Sequence, residues 1–229
     1  MRLEEGVTRH IDWPENVFYE GAIPGTERDA VLLIGVEPNT RWRTFAGEIA
    51  GLAADLGVEL VVTLGALLAD VPHTRPAPVT GSASDPELVQ ELGLTSSRYE
   101  GPTGIVGVLH DACRRAELAS VSLWSAVPHY VSLAPSPRAA LALCRRLGEL
   151  LQTEIDTGEL EEASESYSQQ VSEAVAADPE TAAYVEELEQ RTEEIEREAD
   201  LPSGDAIAAE LTRFLRERER GNGGPTAQP

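Results

Sequence analysis

The alternation of short apolar runs with amphipathic segments constrains this chain more than any other feature of its sequence. The run VLLIGV, at 31–36, has the length and composition of a strand buried on both faces. The segment RWRTFAGEIAGLAADLG has apolar residues at three- and four-residue spacing and ends at Gly57, and a β-branched run follows from Val58 to Leu64. A strand, a helix and a strand in this order predict parallel pairing with a right-handed crossover.

The same pattern continues to about residue 152, and it predicts an α/β fold with a mostly parallel sheet flanked by helices. Thr40 and Thr103 are candidate N-caps for the helices that follow them. The other predicted elements are a loop to Ser84, a short helix from Asp85-Pro86 to Gly93, a strand over 120–127 and a helix over 138–152 that Ser136 and Pro137 begin.

Acidic residues are distributed unevenly along the chain. The net charge is −22, and from residue 151 onward there are 21 acidic residues and 6 arginines, against 19 and 12 in the first 150. We therefore predict an α/β domain over 1–152, an acidic helical extension over 153–219 and a tail over 220–229 that is disordered by composition. The predicted helices of the extension, over 159–177, 180–199 and 206–219, have thin apolar stripes that need a packing partner.

Composition excludes several classes of function. A pI near 4.4 argues against nucleic-acid binding, which needs clustered cations. No stretch approaches the roughly 20 apolar residues of a membrane span, and the first residues lack the apolar core of a signal peptide, so we expect a soluble, cytoplasmic protein. Cys113 and Cys144 have apolar neighbours and are predicted to be buried, reduced thiols. The motifs HExxH, CxxC and GxSxG are absent, and we predict no metal and no cofactor.

Two apolar runs end in the same tripeptide, Val-Pro-His, at 71–73 and 127–129. The carboxyl ends of parallel strands meet at one edge of a sheet, where ligands bind in open α/β folds. The candidate crevice therefore consists of His73, Thr74, Arg75, His129 and Tyr130. Histidine can exchange protons near neutral pH, and arginine can clamp a carboxylate or phosphate. The alternative is that the histidines hydrogen-bond loop backbone beside the prolines and that Arg75 pairs with an acidic residue.

A second candidate site lies at Thr103 and Gly104, where the sequence GPTG leads into a helix. Free N–H groups at a helix N-terminus can bind an anion, although a tight turn explains the same sequence. His110 and Asp111 are adjacent on that helix and point to different faces, which removes them as a catalytic pair.

Several of these stretches together resemble the PAC2 family, the proteasome assembly chaperone 2-like proteins, in its actinobacterial form. They are VLLIGVEPNTRWRTFAGEI, VELVVTLGALLADVPHTRPAPVTG, SRYEGPTGIVGVLHDAC, SLWSAVPHYV and SGDAIAAELTRFL. The resemblance covers roughly residues 7–219. It implies a phosphorylase/hydrolase-like α/β domain with a C-terminal helical extension, and it implies nothing about catalysis.

The sequence departs from the family pattern at both ends. Family members usually begin with a further strand and helix that carry a Gly-Trp-Asn-Asp-Ala-Gly motif, whereas this sequence opens MRLEEGVTRHIDWP. We therefore expect a sheet with an exposed edge or an open pocket wall. Eukaryotic and archaeal members dock on the proteasome through a C-terminal hydrophobic-Tyr-any residue tail, whereas this sequence ends Thr-Ala-Gln-Pro.

Two functions from different classes follow from the sequence. The first is a non-enzymatic assembly chaperone or adaptor whose partners are proteasome subunits or further copies of itself in a homo-oligomer. The second is an enzyme that binds a nucleoside- or phosphate-like molecule with His73, Arg75 and His129 at the crevice. The absence of a recognisable catalytic constellation favours the first.

Overall fold

The computed structural model describes residues 2–4, 8–10, 13–91, 93–94, 101–131 and 135–200. The chain divides into two compact units, Met1–Asp178 and Pro179–Pro229. In the first unit the strands are β1 (Arg2–Glu4), β2 (Thr8–His10), β3 (Val17–Ala22), β4 (Asp29–Ile34), β5 (Val61–Ala69), β6 (Val79–Ala83) and β7 (Ser120–Pro128). Its helices are α1 (Trp42–Asp55), α2 (Pro86–Glu91), α3 (Ile105–Arg115), α4 (Pro137–Leu151) and α5 (Gly158–Ala176), and the second unit contains α6 (Pro179–Asp200).

The central sheet has three strands in the order β5-β7-β6. The strands β5 and β7 run parallel, with Val61 opposite Ser120 and Ala69 opposite Pro128. The shorter β6 pairs with β7 in the antiparallel direction. Most of the ladder is therefore parallel, and the predicted α/β class with a mostly parallel sheet is confirmed.

Helices cover both faces of this sheet. On one face Val121 and Leu123 of β7 pack with Leu94 and with Leu143 of α4. Alternate residues of a strand face opposite sides, and Ser120 contacts His110 of α3, so α3 lies on the other face. The side chain of Ser136 accepts a hydrogen bond from the N–H of Ala139 and caps α4 as predicted.

The predicted burial and pairing of the first strand are wrong. We expected 31–36 to be buried on both faces and parallel to the next strand, but β4 pairs antiparallel with β3 in a separate two-stranded sheet. Val31, Leu32 and Ile34 are 47, 54 and 57% exposed. The physical reason is local: a tight turn, closed by a bond from the N–H of Ile23 to the carbonyl of Arg28, brings β3 alongside β4.

The predicted loop before Ser84 is also partly wrong. The second predicted strand, 58–64, begins later and continues to Ala69, and the segment that follows contains β6. Gly65 interrupts the apolar run in the sequence, but the ring of Trp124 lies over it: a Cβ at Gly65 would be 2.7 Å from that ring. The long partner strand β7 thus supplies the packing that glycine lacks.

Two helix N-caps differ from the prediction. Helix α1 begins after Arg41, which has left-handed backbone angles, rather than after Thr40. Helix α3 begins after Gly104, which has no side chain that could cap it, rather than after Thr103. Both helices thus begin one residue later than predicted, which is within the usual one- to two-residue variation of helix ends.

The acidic segment contains two long helices in the described part of the chain. The first unit reaches Asp178 and so includes α5, which lies beyond the boundary predicted at residue 152. On α6, Leu188 is buried, whereas Ile195, predicted on the same stripe, is 61% exposed. The predicted helix over 206–219 lies outside the described residues. No helix among the described residues has the length and apolar character of a membrane span.

Candidate functional site

The two Val-Pro-His segments meet at one edge of the sheet. They follow the neighbouring parallel strands β5 and β7, and the N–H of His129 donates to the carbonyl of Ala69 where the ladder ends. The imidazole ring centroids of His73 and His129 lie 5.8 and 5.9 Å from that of Tyr130, both in edge-to-face contact. The structure therefore brings three of the predicted crevice residues, the two histidines and the tyrosine, into one cluster.

His73 forms hydrogen bonds through its backbone N–H and through both nitrogens of its ring. Its backbone N–H donates to the Tyr130 hydroxyl over 2.7 Å, and its Nδ1 lies 2.9 Å from the same oxygen. Its Nε2 lies 3.2 Å from the hydroxyl of Ser172 on α5. Because the phenol oxygen already accepts from the backbone, its own proton can bond to Nδ1, which leaves Nε2–H to donate to Ser172. A side chain that is 4% exposed and engaged in this way is suited to positioning the loop.

His129 faces solvent more than His73 does. Its Nδ1 lies 3.1 Å from a carboxylate oxygen of Asp70, with the imidazole 44% and the carboxylate 66% exposed. Asp70 directly follows β5, so this contact joins the ends of the two parallel strands a second time. An exposed pair of this kind contributes little to stability, because water screens it.

Arg138, at the start of α4, is a polar residue of this region that was not among the predicted site residues. Its guanidinium donates to the carbonyl of Arg75 and, over 2.8 Å, to the hydroxyl of Ser168 on α5. Burial lowers the pKa of Arg138, while the nearby Tyr130 and Tyr167 oppose that change. A cation in the first turn of a helix is unfavourable to the helix dipole, and this could have signalled a role elsewhere.

Helix α5 supplies the polar contacts that cover the loop after β5. Ser164, Ser168 and Ser172 are four residues apart, so they lie on one face of the helix. Ser168 contacts Arg138, and Ser172 contacts His73. This spacing is readable in the sequence, but the acidic composition of the whole segment obscured it.

Little room remains inside this cluster for a ligand. The space lined by Pro72, His73, Arg75, Arg138 and Tyr167 is about 10 Å³. That is at most the size of one water molecule. Thr74 is exposed outside it. The arrangement can orient loops and transmit contacts from α5 to the sheet, but it is too small for a nucleoside.

The second candidate site is occupied by the chain itself. The N–H of Ile105, at the first turn of α3, donates over 3.2 Å to a carboxylate oxygen of Glu37. The same carboxylate lies near Gly104, where an added Cβ would be 3.6 Å from its oxygen. An intramolecular anion thus takes the position that Thr103 and Gly104 were predicted to offer to an external one.

Three ionisable residues of α3, which are His110, Asp111 and Cys113, contact other protein groups or are buried. His110 has its Nδ1 3.2 Å from the hydroxyl of Ser120, and burial lowers its pKa, with Arg114 acting in the same direction. Asp111 instead accepts hydrogen bonds from Arg114 and Arg115. These bonds lower the pKa of its carboxyl group, and the bond from Arg114 contributes most. Burial raises the pKa of the free Cys113 thiol. No group of three histidines, cysteines or carboxylates with metal-binding geometry occurs in the described residues.

The fold and this packed corner define an α/β domain in which a C-terminal helix covers the ends of two parallel strands. The PAC2 family matches residues 1–175, which include nearly all of α5. This chain belongs to the PAC2 family, as the sequence motifs predicted.

Solved structures of similar sequence support this assignment. A proteasome-assembly chaperone homologue from Mycobacterium tuberculosis is 47% identical, with 80% of this chain and 78% of that chain covered and a TM-score of 0.71. A PAC2 family protein from Streptomyces avermitilis is 50% identical over 80% of this chain and 77% of its own, with a TM-score of 0.72. No curated protein matches significantly.

One more distant structure shows the fold alone. An archaeal proteasome activator from Pyrococcus furiosus is 17% identical over 76% of this chain and 75% of its own, with a TM-score of 0.59. The α/β architecture is thus shared well beyond the range of clear sequence similarity.

Proposed function

We propose that this protein is a non-enzymatic assembly chaperone or adaptor that acts through protein–protein contacts, with proteasome subunits as the first partners to test. The observation that carries the proposal is its 47% identity, over most of both chains, to a protein described as a proteasome-assembly chaperone homologue.

The packed corner supports the same proposal. An enzyme that acts on a nucleoside- or phosphate-like molecule would need a ligand-sized space beside His73, Arg75 and His129. Ligand pockets typically enclose several hundred Å³, and the space beside His73 and Arg75 is about 10 Å³. The contacts of Arg138 and α5 fill that position with protein atoms, so the residues are better suited to rigidity than to turnover.

The proposal is tested by reconstituting proteasome core assembly from purified subunits of the source organism. We expect this protein to bind unassembled subunits and to increase the rate at which complete cores form. An unrelated acidic protein of similar net charge is the control, because a chain of charge −22 can bind basic surfaces without specificity. Equal effects of the two proteins, or no effect of either, would refute the proposal.

The enzyme alternative has its own test. A ligand that binds only the native state raises the melting temperature by mass action. Phosphate and a panel of nucleosides are expected to leave the melting temperature unchanged. A saturable increase that disappears in His73→Gln would favour the enzyme.

A further inference from the structure

Two polar contacts, one helical turn apart, hold α5 on the packed corner formed by His73, Tyr130 and Arg138. The hydroxyl of Ser168 accepts from the guanidinium of Arg138 over 2.8 Å, and the hydroxyl of Ser172 lies 3.2 Å from Nε2 of His73. Arginine keeps its charge at any physiological pH, whereas histidine titrates near neutrality. One of the two polar contacts that attach α5 to the corner therefore involves a group that can change its charge.

Arg138 has no ion-pair partner among the described residues. Its guanidinium donates to the carbonyl of Arg75 and to the hydroxyl of Ser168, which are both uncharged. The chain has 40 acidic residues, yet none of those that the structure describes lies within ion-pair distance of this half-buried cation. The positive charge of Arg138 is thus held inside the corner without a neighbouring carboxylate from the described chain.

The other ionisable groups around His73 come from each element packed against it. Arg75 belongs to the same loop, Tyr130 follows β7, and Tyr167 belongs to α5. Asp70, which follows β5, lies 3.1 Å from the other histidine of the corner. The glutamates of α5 are all exposed, at positions 159, 161, 162, 165 and 173. The described residues that line the space beside His73 therefore include two arginines and no carboxylate.

The neutral ring of His73 matches its surroundings while α5 is docked. Its Nδ1 accepts from the Tyr130 hydroxyl, and its Nε2–H donates to Ser172. A second ring proton would be on Nδ1 and would face an oxygen that already accepts from the His73 backbone N–H, so the hydroxyl proton would have to turn away. It would also place a second positive charge beside Arg138 in a space of about 10 Å³, which admits no hydration shell. Protonation of His73 and docking of α5 therefore oppose each other.

We propose that His73 is a pH-sensitive switch for α5: the helix docks on the corner while the imidazole is neutral and is released when the imidazole is protonated. Release hydrates the ring, so the undocked state binds the proton more readily than the docked state, and a fall in pH favours the undocked state. It would expose Tyr167, which is 7% exposed in the docked helix. This inference goes beyond the proposed function and does not require a proteasome subunit as partner.

Hydrogen exchange of the full chain, measured by NMR, tests the release of α5. Protection factors remove the pH dependence of intrinsic exchange, so they compare how often the helix opens at different pH values. Between about pH 7.5 and about pH 5.5, protection of the Val171 and Ser172 amides should fall at least about fivefold more than protection of the β7 amides, which open only with the whole domain. Equal changes in α5 and β7 overturn the proposal.

Matched substitutions identify the responsible histidine. His73→Gln leaves a side chain that stays neutral over this pH range, so the excess fall in α5 protection should drop below about twofold. His129→Gln removes the other, more exposed histidine of the corner and should leave the excess fall unchanged. An excess fall that persists in His73→Gln, or that disappears equally in both variants, refutes the proposal.

Two further measurements decide the question even if His73→Gln does not fold. NMR of the imidazole nitrogens should show a proton on Nε2 alone at about pH 7.5, and a ring that carries two protons while the α5 amides remain protected overturns the proposal. Arg138→Gln keeps a donor for the Ser168 hydroxyl but removes the charge that opposes protonation of His73. The excess fall in α5 protection should then be at least about twofold smaller than in the unsubstituted protein, and an unchanged fall would contradict the switch.

Discussion

Replacing Tyr130 with phenylalanine tests whether the packed corner stabilises this domain. The substitution keeps the ring that both imidazoles contact but removes the oxygen that accepts from the His73 N–H and lies 2.9 Å from its Nδ1. His73 is only 4% exposed, so water cannot readily replace this partner. Loss of a partner for a buried polar group costs about 1–3 kcal/mol. For a domain of this size, that corresponds to a decrease in melting temperature of roughly 2–12 °C.

The measurement is chemical and thermal unfolding followed by circular dichroism. Tyr19→Phe is the matched control, because Tyr19 is 54% exposed on β3 and no hydrogen bond of its hydroxyl is recorded among the described residues. The control should change the free energy of unfolding by less than about 0.5 kcal/mol. If the two variants have the same stability, the His73–Tyr130 contact is not a stabilising element and our interpretation of the corner is wrong.

Three further predictions concern the sheet and the helix beside it. Leu123→Ala, at a site with 0% exposure, should reduce the free energy of unfolding by about 2–5 kcal/mol in urea titrations; a loss below 1 kcal/mol would contradict the assigned core. Gly65→Ala should displace the Trp124 ring, which a Cβ would approach to 2.7 Å, and should shift tryptophan fluorescence; an unchanged spectrum would contradict this packing. The pKa of His110 in the folded state is below its ordinary value of 6.5. As pH decreases below that value, the unfolded chain takes up this proton more readily than the folded chain, so the free energy of unfolding should fall. His110→Gln should weaken this dependence in unfolding curves measured from about pH 7.5 to about pH 5.5, whereas an identical pH dependence would refute it.

The role of α5 changes how the acidic half of the sequence is understood. Charge alone predicts a solvated extension after residue 152, yet Ser168 and Ser172 contact residues at the start of α4 and after β5. The PAC2 family match ends at residue 175, close to the end of this helix. A helix can therefore be strongly acidic on its solvent side and still complete a domain through a narrow polar face.

Local patterns were sufficient for the helices and for the meeting of the two Pro-His corners. Helices α1, α4 and α5 follow the apolar spacing of the sequence, and α4 also begins at the cap that Ser136 predicts. Parallel strands place their carboxyl ends at one edge of the sheet regardless of the details of packing. The sequence was therefore sufficient to predict that His73 and His129 lie close together.

Only the tertiary structure decided which strands pair and whether the corner is open. The run at 31–36 is equally compatible with a buried parallel strand and with an exposed hairpin, because its own composition does not specify that the preceding turn brings it alongside β3. The space beside His73 is closed by Arg138 and by serines about 100 residues away, and its volume depends on how those elements pack. Sequence determined which residues could meet in this protein, whereas long-range packing determined that the space beside His73 is too small for a ligand.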